Sequence, residues 1–315
     1  MTIERVAYDE LGLFHENAAE YGLPFDEAPV VRREAVEVEP GRSLSALVWG
    51  EGDPEVVLLH GGGQNAHTWD TVALALRPRR LLAIDLPGHG HSDGFRTASA
   101  RPSPTDNALD VAEVVRALAP DAHGVVGMSL GGLTSIALAG VAPELVRKLV
   151  LVDVLPGLKS EHAAHIGAFL NGPPTFDSFD DLLQRTMQFN PTRSESSLRR
   201  GILHNAVQLD DGSWVWRHSR WRLSGDATIG EAAAAMGEPG EGLYDELQTT
   251  LAAIDVPVML ARGMRPDSVL RDEDEAALLE VLPAAQVEHF DQAGHSIQGD
   301  MPVELAATIE RFIAG

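Results

Sequence analysis

The chain has 315 residues, 44% of them hydrophobic and none of them cysteine, which suits one α/β core with an insertion and excludes disulfides, thiolate nucleophiles and cysteine-held metals. Acidic side chains outnumber basic ones 47 to 24, a formal charge of −23 at pH 7, and that balance argues against nucleic acid and anionic membrane surfaces as partners. No apolar signal region follows Met1-Thr2-Ile3-Glu4-Arg5 and no window is long and apolar enough for a membrane span, so a cytoplasmic protein is expected.

Residues 8–22 carry Leu11, Leu13, Phe14, Ala18, Ala19 and Tyr21 at loose helical spacing, as expected of an N-terminal extension (residues 1–29) that packs on the domain without chemistry of its own. Residues 30–38 and 43–49 alternate around Pro40-Gly41 and predict an antiparallel hairpin. Residues 55–59 are apolar after the first, the pattern of a strand buried on both faces. It ends in His60-Gly61-Gly62-Gly63-Gln64, where three glycines leave backbone N–H groups approachable by an anion. After a helical stretch at 65–77, a second buried strand at 80–84 leads into Asp85-Leu86-Pro87-Gly88-His89-Gly90-His91-Ser92-Asp93. Asp85, His89, His91 and Asp93 are metal-ligand types. The Pro-Gly and Gly-His punctuation reads more simply as a rigid loop closed by its own side-chain hydrogen bonds, so no metal is expected there.

Residues 105–119 have the spacing of a helix with acidic residues in its first turn. A buried strand at 124–128 then meets Gly127-Met128-Ser129-Leu130-Gly131-Gly132, and a small-residue helix follows at 131–141. A sharp strand-to-helix turn crowds its neighbours, which glycine relieves, and it presents the serine above a helix N-terminus whose free N–H groups favour developing negative charge. A further strand at 145–152 ends at Asp153. The alternation of strands and helices implies a parallel sheet with right-handed crossovers.

These motifs, in this order, resemble the α/β-hydrolase superfamily in its serine-nucleophile branch with an inserted cap. His60-Gly61-Gly62-Gly63 resembles its oxyanion loop, Asp85 to Asp93 its post-strand loop, and Gly127-x-Ser129-x-Gly131-Gly132 its nucleophile elbow. The resemblance implies an α/β fold with a mostly parallel eight-stranded sheet, helices on both faces and a mainly helical cap. Residues 1–155 and 251–315 would form the core and 156–250 the cap. Within the cap, Asp211-Gly212 predicts a small hairpin, and Trp214, Trp216 and Trp221 cluster near it. Aromatic clusters are more often packing than recognition, yet Trp214 and Trp216, with Gly63, are also candidates for substrate contact.

The alternation resumes with a strand at 256–262, and the family's acid usually follows this strand; the resemblance therefore assigns Asp267, with Asp153 as the alternative. The last strand, 286–290, delivers Ala293-Gly294-His295-Ser296, matching the family's catalytic histidine, and Asp272 and Asp274 read as helix-start residues. The implied mechanism is attack by Ser129, with His295 as base, the acid fixing its tautomer, and N–H groups of Gly62 and Leu130 receiving the oxyanion. No cofactor is needed. Serine at the elbow argues against the epoxide-hydrolase and dehalogenase branches, which use aspartate. Ester or lactone hydrolysis is expected, with C–C cleavage of diketone-like substrates and non-catalytic ligand binding as alternatives. The cap aromatics suggest a small, apolar and uncharged substrate; nothing in the sequence fixes the oligomeric state.

Overall fold

Strands β1 (Val31–Glu39) and β2 (Arg42–Trp49) form the antiparallel hairpin that opens the sheet of the computed structural model, which describes residues 5–95, 103–157, 168–170, 172, 173, 175–218 and 243–315. The sheet continues with β3 (Val56–Leu59), β4 (Leu81–Ile84), β5 (Gly124–Met128) and β6 (Leu149–Val152), each buried along its whole length. Their runs lack a polar alternation because helices cover both faces. Three cap strands follow, β7 (Thr175–Phe176), β8 (Ala206–Gln208) and β9 (Trp214–Trp216), before β10 (Val258–Gly263) and β11 (Gln286–Phe290) complete the main sheet. Its order is β1-β2-β4-β3-β5-β6-β10-β11, eight strands in all, with antiparallel pairing confined to β2 and its two neighbours.

One face of the sheet packs under α3 (Pro104–Leu118) and α4 (Leu130–Val141), where Val57, Val111, Ile136 and Leu138 share a core. The other carries α2 (Asp70–Ala75) and the C-terminal helix Pro302–Ala314, joined through Val56, Leu58, Val72 and Ile309. Val56 and Val57 face opposite cores because strand side chains alternate.

The cap has its own core. Helices α5 (Phe179–Phe189) and α6 (Glu195–Asn205) lie with β7, β8 and β9 around Phe176, Leu182, Leu198, Ile202, Trp214 and Trp216. Ser178 and Ser194 cap the two helices by accepting the N–H of Asp181 and of Ser197. The expected end of the cap, residue 250, falls within a helix that packs on the main sheet's core. Helix α7 (Leu243–Ala252) buries Leu247 and Leu251 in the core beneath α4, so the chain has rejoined the hydrolase body by residue 243. Trp221 lies outside the described residues.

The N-terminal extension is a strap between core and cap. Its helix α1 (Phe14–Tyr21) stops at Gly22, whose φ of 65° makes the left-handed C-cap that glycine adopts without strain. Asn17 donates to Thr71 on α2 at 3.0 Å, and Tyr21 donates to the Gly299 carbonyl at 3.0 Å. On the cap side, Glu20 pairs with Arg200, Tyr8 Oη bonds His204 Nδ1 at 2.8 Å, and Arg5 reaches Asp210.

Candidate active site

Strands β5, β6 and β10 are neighbours in register, so Met128 stands beside Val152 and Val152 beside Ala261. The next residues, Ser129 and Asp153, therefore emerge side by side at the carboxyl end of the sheet, about one strand spacing apart. Both have left-handed backbone, φ 51° and 48°, and they are the two non-glycine residues with positive φ among the described residues. Such strain persists where the surroundings over-determine it, which is characteristic of functional positions. At Ser129 the cause is visible. A Cβ at Gly127 would overlap the Gly131 carbonyl and one at Gly131 the Leu59 carbonyl, so strand, elbow and helix cross as closely as backbone allows.

His295 meets Asp153. Its Nδ1–H donates to Asp153 Oδ2 at 3.0 Å, and the side chains are 12% and 0% exposed. Three more donors converge on the same carboxylate: Gly263 N–H at 2.9 Å, Ser268 Oγ–H at 2.7 Å and Val269 N–H at 3.1 Å. The carboxylate that the structure brings to His295 is thus that of Asp153, the alternative, and not that of Asp267. Asp267 is half-exposed at 50%, lies 3.7 Å from Arg265 and rests its carboxylate against the Gly294 backbone. The loop after β10 contributes donors that orient Asp153 and not the acid itself. With Nδ1 carrying its proton toward Asp153, Nε2 of His295 is left as the acceptor, buried and without a partner among the described residues.

Hydrogen bonding singles out one N–H of the glycine loop. Gly61 N–H donates to Gln64 Oε1 at 3.1 Å and Gly63 N–H to His89 Nε2 at 3.0 Å, whereas Gly62 N–H engages no acceptor among the described residues. Leu130 N–H, first in α4, is likewise open. The loop lies against the elbow, since a Cβ at Gly61 would sit 3.3 Å from Ser129 Cβ. Gly63, taken from the sequence as a substrate contact, lines the adjoining cleft but spends its N–H on His89 and its carbonyl on Asn205 Nδ2 at 2.5 Å. Trp214 and Trp216 are 5% and 6% exposed within the cap core; Trp216 also lines the cleft and Trp214 does not.

Two histidines that sequence reading left without a role brace this loop. His60 donates from Nδ1 to the Gly61 carbonyl at 2.8 Å and accepts Leu86 N–H on Nε2 at 2.9 Å. His89 donates from Nδ1 to the Pro87 carbonyl at 2.9 Å while Nε2 accepts Gly63 N–H. Each uses one nitrogen as acceptor, so each is neutral; burial, and the neighbouring His89, push His60 down to about 3, and burial lowers His89. The post-strand loop is held partly by its own bonds, His91 N–H to Asp85 Oδ2 and the Ser92 hydroxyl to the Asp85 carbonyl, and partly from outside, with Asp85 also accepting Ala66 N–H and Arg33, and Asp93 accepting Ser43 N–H. A histidine in each of two glycine-rich loops was the available signal for this latch.

Under the strap, Glu10, His67, Asp70 and His204 form a buried polar cluster. His67 donates to Asp70 Oδ2 at 2.9 Å and to Glu10 Oε1 at 3.2 Å; burial alone would lower its pKa, but the two carboxylates raise it to about 9. Burial and the charge on His67 hold the stacked His204 well below its ordinary value. His67, Asp70 and His204 offer three ligand atoms within 4.8 Å of one another. Their two rings are parallel within 11° at 3.8 Å, so one ion cannot lie in both ring planes, and binding would first break the Glu10–His67–Asp70 bonds.

These shifts give stability two flanks in pH. His67 has a folded pKa above its unfolded 6.5, so its contribution is complete below 6.5 and is lost as pH rises through about 9. His60 and His91, lowered by burial to about 3 and about 4, act oppositely and remove stability as pH falls below 6.5. We expect Tm to peak near neutral pH and the alkaline flank to flatten in His67→Gln. An unchanged alkaline flank in that variant would refute the ion-pair reading.

An elbow serine next to the strand that carries the Asp153–His295 pair, on a mostly parallel sheet, is the arrangement of an α/β hydrolase, and the chain belongs to the alpha/beta hydrolase family, whose model matches residues 56–308. It is 40% identical over 309 residues to the esterase Rv0045c of Mycobacterium tuberculosis, covering 96% of this chain and 95% of that protein. A solved structure of that esterase superposes with a TM-score of 0.82 over 98% of this chain and 100% of its own, at 39% identity. The pimeloyl-[acyl-carrier protein] methyl ester esterase of Yersinia pseudotuberculosis is 33% identical over 286 residues, 85% of this chain and 98% of that one.

Proposed function

We propose that the protein is a serine esterase that cleaves a carboxylic ester, or its cyclic lactone equivalent, through an acyl-enzyme formed on Ser129. The observation that carries this reading is the bond from His295 Nδ1 to Asp153, which leaves the buried Nε2 open as base. In the mechanism so supported, Nε2 takes the Ser129 hydroxyl proton as Oγ attacks the ester carbonyl, and Asp153 stabilises the imidazolium. The oxyanion is received by Gly62 and Leu130 N–H. His295 then protonates the leaving alcohol, and water, deprotonated by the same nitrogen, releases the acid. The similarity to two esterases supports the ester bond over the C–C bond.

A fluorophosphonate probe tests the core of it: Ser129 Oγ should displace fluoride and carry the adduct in a peptide map, and a label elsewhere would sink the reading. A panel of p-nitrophenyl esters, lactones and β-diketones separates the bond types. No step needs a metal, so activity should survive exhaustive dialysis against EDTA. Loss with EDTA, restored by zinc, would reopen the cluster at His67, Asp70 and His204. We place the enzyme in the cytoplasm, in keeping with the absence, among the described residues, of any helix long and apolar enough to cross a membrane.

A further inference from the structure

A cleft of about 150 Å³ runs on from the glycine loop at Gly63 and Gln64, walled by the strap, the segment after that loop, and cap helices α5 and α6. Two of its lining residues, Gln64 and Gln298, link it to the glycine loop and to the segment that follows His295. Gln64 holds Gly61 N–H, and Gln298, three residues after His295, sets its Nε2 3.5 Å from Gln64 Oε1 and buries an Oε1 that has no partner among the described residues. The aromatic side chains of the cap turn largely into their own core. The cleft is instead lined by groups such as Asn17, Thr68, Asn190, Arg193 and Arg200. This does not match the apolar, uncharged substrate suggested by the cap aromatics.

The two arginines differ. Arg200 is neutralised by the strap, bonded to Glu20 and 3.6 Å from Glu16. Arg193 has no carboxylate within 4 Å among the described residues, in a chain that holds 47 acidic residues. Its Nη2 donates to Ser197 Oγ at 2.6 Å, its Nη1 lies beside the Gly299 backbone, and its Nε is buried without a partner. Asp300 and Glu20 lie within electrostatic reach of it without pairing: Asp300 accepts Gly294 N–H on Oδ2, and Glu20 is bonded to Arg200 and Ser194. A guanidinium half-withdrawn from water with an unfilled donor is costly unless an anion completes it, and its planar fork suits a carboxylate. The volume admits a group of about five water-sized units.

We infer that this cleft receives a carboxylate carried by the ester substrate, with Arg193 as its counter-ion. The inference rests on the esterase reading for the word substrate, and the test keeps the two apart. Rates of acid release in a pH-stat would be measured for methyl hemiesters of glutaric to suberic acid against methyl alkanoates of equal length, which places the charge on the acid side. Acetates of hydroxy acids against acetates of simple alcohols place it on the alcohol side. In one of the two pairings the wild-type protein should favour the charged ester by roughly 10- to 100-fold in kcat/KM, the range of one charge-assisted contact. Arg193→Gln should bring that ratio near unity, chiefly through KM, and Arg193→Lys should restore part of it. Free dicarboxylates should bind the Ser129→Ala protein by calorimetry and fail to bind Ser129→Ala/Arg193→Gln. A ratio near unity in the wild type, or one that Arg193→Gln leaves intact, overturns the inference while leaving the esterase standing. Binding of dicarboxylate through Arg193 with no ester hydrolysed would keep the carboxylate site and overturn the esterase, and with it the word substrate.

Discussion

Ser129→Ala should lower kcat by about 10⁶, to the residual rate supported by the oxyanion donors and substrate binding, and it should do so with little change in Tm. The second half follows from the local structure. Ser129 is partly exposed, and its side chain caps nothing: α4 begins without a side-chain cap bond from it. The elbow is held by backbone, Ser129 N–H to the Val152 carbonyl at 3.3 Å and Leu133 N–H to the Ser129 carbonyl at 3.0 Å, and alanine keeps both. The check is steady-state kinetics beside a thermal melt. Wild-type turnover in the variant would remove the nucleophile from the mechanism.

Asp153→Asn should cost on the order of 10⁴ in kcat, because an amide facing His295 Nδ1 favours the wrong tautomer. Asparagine is the informative replacement, since its short polar side chain tolerates the left-handed φ of 48° at this position. Some stability should go with it, as Gly263 N–H, Ser268 Oγ–H and Val269 N–H lose a charged acceptor. Asp267→Asn should change kcat by less than about threefold, the effect expected of a half-exposed side chain outside the triad. Measuring both variants on one ester decides between them. A greater loss in Asp267→Asn would return the acid to that position.

Much of this was legible in the sequence. Continuous apolar runs marked β3 to β6, the turn signal at Pro40-Gly41 marked the hairpin, and the glycines flanking Ser129 marked the elbow, because each records a local requirement of backbone or burial. The choice between Asp153 and Asp267 was not local. Both follow a strand of the sheet, and only the order β5-β6-β10, with β6 next to the serine strand, brings Asp153 under His295. The same holds for Arg193. Its sequence setting, Thr192-Arg193-Ser194, is that of any helix start, and its lack of a carboxylate within 4 Å among the described residues is a property only of the assembled cap, core and strap. The tryptophans say less about the substrate than their number suggests, for a related reason. Their composition signals apolar contact, and the cap consumes most of it internally.

The strap has a consequence for the order in which the molecule is built. The elbow joins residues close in sequence, so it can form early. The cleft beside it closes through Asn17 to Thr71, Glu20 to Arg200 and Tyr21 to Gly299, the last pair 278 residues apart. Loop closure over such separations is slow and is rewarded only after both chain ends have docked. Contacts of this kind are also the first to open under mild denaturant, since they are polar and tie a chain terminus to the rest of the fold. Preference among esters should therefore fade at a lower urea concentration than reactivity of Ser129 toward a small fluorophosphonate, making substrate choice a later and less durable achievement of folding than the nucleophile itself.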